Sequence, residues 1–203
     1  TYNTVGTYTA TLRATDNNAS PATGSATTEI IVYDPAAPIS FSTKIAASSD
    51  DAEQEVPAGT MSLVSSDLEL PFDDDGTGNQ TNGLRFTNVT VPQGVSIANA
   101  YIQFTADATV GTHSGPITLT IQGQAIDDAP TFTSTANDIT SRTLTTASVT
   151  WSPASWTSGN RTAAQQTVDI SSIITEIISR PGWVSGNDIV ITISGTGSAA
   201  NTR

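Results

Sequence analysis

The sequence predicts an all-β protein with one short helix, on three observations. Apolar side chains alternate strictly around a Pro-Gln-Gly turn: Leu84 and Phe86, Val89 and Val91, then Ile102 and Phe104. Period-2 spacing buries one face of each strand and leaves the other polar. Only 36% of the chain is apolar and 13% charged, so its polarity comes mainly from Thr, Ser, Asn and Gly. Threonine favours the extended backbone. Finally, helical spacing of apolar residues occurs in one place, between 170 and 178.

Each element follows in order. Residues 1–34 read as two strands, Tyr8 to Asp16 and Thr28 to Tyr33, joined by Asp16-Asn17-Asn18-Ala19-Ser20-Pro21, a run of turn-forming residues. A two-stranded hairpin is marginal in water by itself. Residues 35–38 form a linker whose Pro35 and Pro38 block strand continuation. Residues 39–203 read as one larger β domain, with strands expected at 39–46, 60–65, 82–91, 96–106, 116–126, 146–151, 165–169 and 188–194. Ile170, Ile173, Ile174, Ile177 and Ile178 predict a helix within 169–180, with Asp169 or Ser171 at its N-terminus and Pro181-Gly182 as its stop.

Two resemblances sharpen the fold. Gly6-Thr7-Tyr8-Thr9-Ala10-Thr11-Leu12-Arg13-Ala14-Thr15-Asp16, followed by Thr28-Glu29-Ile30-Ile31-Val32, resembles the closing half of a PKD domain, an Ig-like sandwich of surface proteins and secreted hydrolases. The first 34 residues are therefore expected to form an incomplete Ig-like hairpin. In the larger domain, Ser65-Ser66-Asp67-Leu68-Glu69-Leu70 precedes Gly83-Leu84-Arg85-Phe86, then Val91-Pro92-Gln93-Gly94-Val95. Val149-Thr150-Trp151, Trp156, Val168-Asp169-Ile170 and Pro181-Gly182-Trp183 come later. This order resembles the DNRLRE-type jelly-roll modules, relatives of carbohydrate-binding modules, over residues 45–195. The resemblance implies a jelly-roll-like β-sandwich in a large secreted bacterial protein, non-catalytic, with an extracellular or cell-surface location. Such modules carry a further strand after the one at 189–194. Its absence predicts an open rim there, to be completed by a strand from another copy or from a neighbouring domain.

Composition excludes several functions. A formal charge of −12, with a single lysine, Lys44, repels nucleic acid and anionic membrane. No run of about 18 apolar residues exists for membrane insertion. With no cysteine, thiol catalysis and thiolate metal sites are excluded. His113 lies in a glycine-flanked turn with no nucleophile motif beside it.

The acidic charge instead points to a hard cation. No Lys or Arg lies between Lys44 and Arg85, whereas Asp50, Asp51, Asp67, Glu69, Asp73 and Asp75 all fall there. Calcium takes six to eight oxygen ligands in flexible geometry, and two pairs, Asp50-Asp51 and Asp67/Glu69, flank one predicted hairpin. Ca2+ is accordingly the expected cofactor, with Asp127-Asp128 as a weaker second pair. Trp156, in a Ser/Pro/Gly-rich loop, is the candidate for stacking on a sugar ring. The expected function is a non-catalytic structural or adhesive module that forms filaments by strand complementation, its loops stiffened by calcium. The alternative is a carbohydrate-binding module of a secreted polysaccharide-degrading enzyme, which takes polysaccharide through Trp156.

Overall fold

The computed structural model describes residues 4–15, 23–32, 40–73, 78–107, 115–198 and 201–203. It falls into two compact units, Thr1–Phe41 and Ser42–Arg203. The protein is mostly β, with a two-stranded hairpin, a seven-stranded antiparallel open sheet and one short helix.

The first unit is the hairpin of β1 (Gly6–Thr15) and β2 (Thr23–Val32), paired antiparallel from Gly6↔Val32 to Thr15↔Thr23. Tyr8, Leu12, Ala26 and Ile30 fall on one face by alternation and register. Most side chains stay exposed, Leu12 at 74%. The hydroxyls of Thr15 and Thr23 meet at 3.0 Å at the end of the ladder. The expected turn at 16–21 lies outside the described residues.

The second unit holds β3 (Asp51–Glu55), β4 (Met61–Ser62), β5 (Phe72–Asp73), β6 (Gly78–Phe86), β7 (Leu119–Gln124), β8 (Leu144–Trp151), α1 (Ser171–Ile178) and β9 (Ile189–Gly195). The strand order is β4-β3-β6-β9-β7-β8, and β5 pairs with β6. Register stacks like with like: Leu84 lies opposite Ile191, and Ile121 opposite Ile193. These residues, with Leu119 and Trp151, form one face of the sheet and pack against Ile173 and Ile177 of α1. The other face carries Ala52 and Val190, covered by Ala129, Phe132 and Ile139. Truncating a core isoleucine such as Ile121 or Ile193 to alanine costs about 2–5 kcal/mol.

The helix packs where β7 has a glycine. A Cβ on Gly123 would stand 2.6 Å from Ile177 Cδ1 and 2.9 Å from Ile173 Cγ2. The isoleucines buried on α1 are those its spacing predicts. Asp169 acts one residue ahead of the helix N-cap, accepting from the N–H and the hydroxyl of Ser171.

Several expected strands take another form. Residues 40–46 form none. After Phe86 the chain leaves the sheet, and Asp188 captures the N–H of Asn88, whose φ is 53°. Val89 is buried nonetheless, and Val91 packs against the core. Residues 96–106 and 165–169 are irregular but run side by side. Phe104 N–H donates to Gln165, Thr167 N–H to Ile102 and Ile170 N–H to Ala100, all to carbonyl oxygens. Strand β3 was missed because Asp51-Ala52-Glu53-Gln54-Glu55 has no apolar alternation. Its inward polar groups are satisfied by tertiary contacts. Gln54, for example, accepts from the N–H groups of Ile139 and Thr140 and donates to the Thr140 hydroxyl.

One expectation is corrected outright. The open rim foreseen beside 189–194 is not there, because β9 is an interior strand hydrogen-bonded to β6 on one side and β7 on the other. The rims are β4, only two residues long, and β8, where Glu176 of α1 accepts from the N–H groups of Thr146 and Ala147. A carboxylate seated on rim N–H groups blocks an incoming strand. Residues 202–203 fold back onto the segment before β5, where Leu70 and Arg203 exchange both backbone hydrogen bonds.

Candidate functional site

Alternation along β3 sends its residues to opposite faces. Asp51, Glu53 and Glu55 share the face of Leu84, and register sets Glu53 against Asn82 and Glu55 against Gln80. At this end of the sheet the apolar core gives way to polar groups. The segment after β4 passes over them and delivers Ser65, Asp67 and Glu69. The result is a cavity of about 440 Å³ lined by Glu53, Glu55, Asp67, Glu69, Asp73 and Gln80, among others.

Glu53 sits at its centre, only 5% exposed. Its Oε1 accepts the N–H of Glu69 at 3.3 Å, and the side chains of Glu69 and Ser65 line the cavity beside it. Burial, then the bond to and charge of Glu69, push Glu53 up to about 8. Burial also raises Glu69, and the charges of Asp67 and Asp73 add to it. Two neighbouring buried carboxyls do not both ionise freely, so a proton on one of them is favoured.

The floor of the pocket is not satisfied by protein. Gln80 is 5% exposed and its Oε1 has no hydrogen-bond partner. Two residues further along β6, and outside the lining, Asn82 is fully buried with neither its Oδ1 nor its Nδ2 paired. Each such buried group costs about 1–3 kcal/mol.

Of the acidic residues expected to meet, Asp67, Glu69 and Asp73 line this pocket. Asp50 does not. It lies on the opposite face and accepts from Arg85 at 2.7 Å. It ends the turn before β3 and is held by Arg85 there, so the expected convergence of the two acidic pairs fails. Asp51 begins β3 outside the lining, raised by its own burial. Asp75 lies outside the described residues, as does His113. Asp127 pairs with Arg180 at 2.6 Å and Asp128 accepts the N–H of Asp188, so both serve the fold. Among the described residues no three Asp, Glu or His side chains converge on one point. Glu53 belongs to the same acidic window but is not among the expected ligands, and nothing in the sequence singles out Gln80 or Asn82. What the three share is polarity at inward strand positions next to Leu84.

Trp156 is also corrected. It is 8% exposed, its Nε1 donates to the Ala164 carbonyl, and its ring lies 5.9 Å from Phe104 and 6.2 Å from Trp151. Trp151 and Trp183 are buried as well. The Ser/Pro/Gly-rich loop was mistaken for an exposed one, because its indole closes the core over Phe104. The tryptophans therefore form no sugar platform.

No family model, curated protein or solved structure matches the chain.

Proposed function

We propose that this protein is a non-catalytic structural or adhesive module of a large extracellular surface protein, joined to its neighbours through the N-terminal hairpin. One observation carries the reading. The β1–β2 ladder is ten pairs long yet leaves seven of the ten residues of β1 exposed, the apolar Leu12 at 74%. A hairpin of this kind gains stability only when further strands or a packed face cover it. Those strands are the rest of an Ig-like, PKD-type sandwich, supplied by another copy or a neighbouring domain. The rims of the large sheet favour no such exchange, being short or capped by Glu176.

The jelly-roll-like reading of the large unit belongs to the same proposal. Its support is the ladder between 100–104 and 165–170, whose Ile102, Phe104 and Ile170 join the core cluster on the α1 face. An acidic, lysine-poor surface suits an extracellular position, and nothing in it attracts nucleic acid.

Light scattering on the full chain over a concentration series tests the hairpin. Association that grows with concentration and weakens in Leu12→Lys, with the melt of the large unit unchanged, is the expected result. A monomer at every concentration, identical in both proteins, overturns the reading of self-association.

A further inference from the structure

We propose that the pocket between β3, β6 and the segment 62–70 is a calcium site, with the carboxylates of Glu53 and Glu69 and the amide oxygen of Gln80 as its protein ligands. The inference stands independently of the role given to the hairpin.

Three observations converge. Glu53 Oε1 accepts the backbone N–H of Glu69 at 3.3 Å, which brings both carboxyl groups to the same cavity. Gln80, on the adjacent strand, lines the same cavity with an oxygen that nothing in the protein satisfies, although the residue is 95% buried by its 5% exposure. Five acidic residues line the cavity, and no lysine or arginine is among its described lining residues. A dication placed between Glu53, Glu69 and Gln80 answers all three at once. It relieves the repulsion between carboxylates and gives the orphan amide oxygen a partner.

The donors choose the metal. They are all oxygens, one of them a neutral amide, which suits a hard cation and not zinc or copper. Calcium accepts an irregular set of six to eight oxygens and takes the remainder from water. Magnesium demands a tight octahedron and dehydrates reluctantly, which two carboxylates on a strand and a loop do not provide. Asp67 and Asp73 lie close enough to raise Glu69 and so add negative potential without direct ligation. Two charged ligands place the affinity in the range of extracellular modules, a Kd on the order of 10⁻⁴–10⁻³ M.

Titration calorimetry of the full, EDTA-treated chain with CaCl2, and separately with MgCl2, tests the site. One Ca2+ per chain is expected, with a rise in melting temperature that Mg2+ reproduces only weakly. Glu69→Gln should weaken binding at least about tenfold, as loss of a charged ligand does. Gln80→Met is the sharper variant, because it removes an unpaired oxygen and keeps the volume. It should weaken Ca2+ binding about tenfold while the metal-free melt stays level or rises. No heat and no thermal shift up to about 10 mM Ca2+, above the affinity range expected, overturns the site. So does an equal response to Mg2+, or Ca2+ binding unaltered by Gln80→Met.

Discussion

The two faces of the sheet at the start of β3 solve the same electrostatic problem differently. Asp50 and Glu53 are three residues apart in one acidic run, and both are about 5% exposed. Asp50 meets Arg85, whose guanidinium also reaches Asp188 and the carbonyl of Ala129. Glu53, across the sheet, meets another carboxyl. On the first face charge is neutralised within the fold. On the second it is left for a proton or a cation. Net charge alone, −12 for the chain, does not distinguish them, because the face of β6 that Arg85 occupies decides which acids it meets.

Removing Arg85 breaks the comparison hardest. Arg85→Met leaves Asp50 and Asp188 facing each other without a cation, in side chains only 7% and 18% exposed. Losing one partner from a buried pair costs about 3 kcal/mol or more. Urea denaturation should therefore move its midpoint strongly, and the second substitution Asp50→Asn should restore part of the loss. A change below about 1 kcal/mol would put this cluster with solvent-exposed ion pairs and erase the contrast.

Acidity sharpens the other side. Glu53 titrates higher in the folded protein, about 8, than its ordinary 4.5. The folded state thus binds the proton more tightly. That contribution is full below pH 4.5 and is lost as pH rises through 8. Denaturation in EDTA should find the protein roughly 2 kcal/mol less stable at pH 9 than at pH 5, about half of what the full shift implies because solvent screens the carboxyl in part, with Glu53→Gln flattening the slope. A wild-type profile that is level across this window would mean that the pair is not held in contact.

How far the chain could be read in advance depended on whether burial and polarity agreed. Where alternation is apolar, as at Leu84 and Phe86 or from Ile189 to Ile193, strands were foreseen within a few residues. The isoleucines of α1 announced both the helix and its buried side. The hidden parts are polar groups satisfied from afar. Asp51–Glu55 looks like loop until Gln54 is seen holding residues 139 and 140 from 85 and 86 positions away. Likewise, Asp67, Glu69 and Asp73 were legible as acids in one window. Their true partner, Glu53, and the oxygen of Gln80 depend on a register that no local pattern encodes. Trp156 failed for the converse reason, since local polarity masked a long-range contact with Phe104.

The smallest effect concerns a carboxylate that the fold satisfies without any cation. Asp169 accepts from the N–H of Ala100, then from the N–H and hydroxyl of Ser171, and these bonds hold it below the usual carboxylate range. It is solvent-exposed, yet it ties the start of α1 to the segment that runs beside 165–170. Asp169→Ala should lower the melting temperature slightly at neutral pH. Because the folded value is depressed, that advantage exists above pH 3.8 and disappears as acid protonates the group. Wild type and variant should therefore converge at low pH, opposite in direction to the Glu53 effect. Melts recorded at intervals from pH 2 to 7 test this, and a gap that persists undiminished in acid would assign the loss to packing and not to the charge.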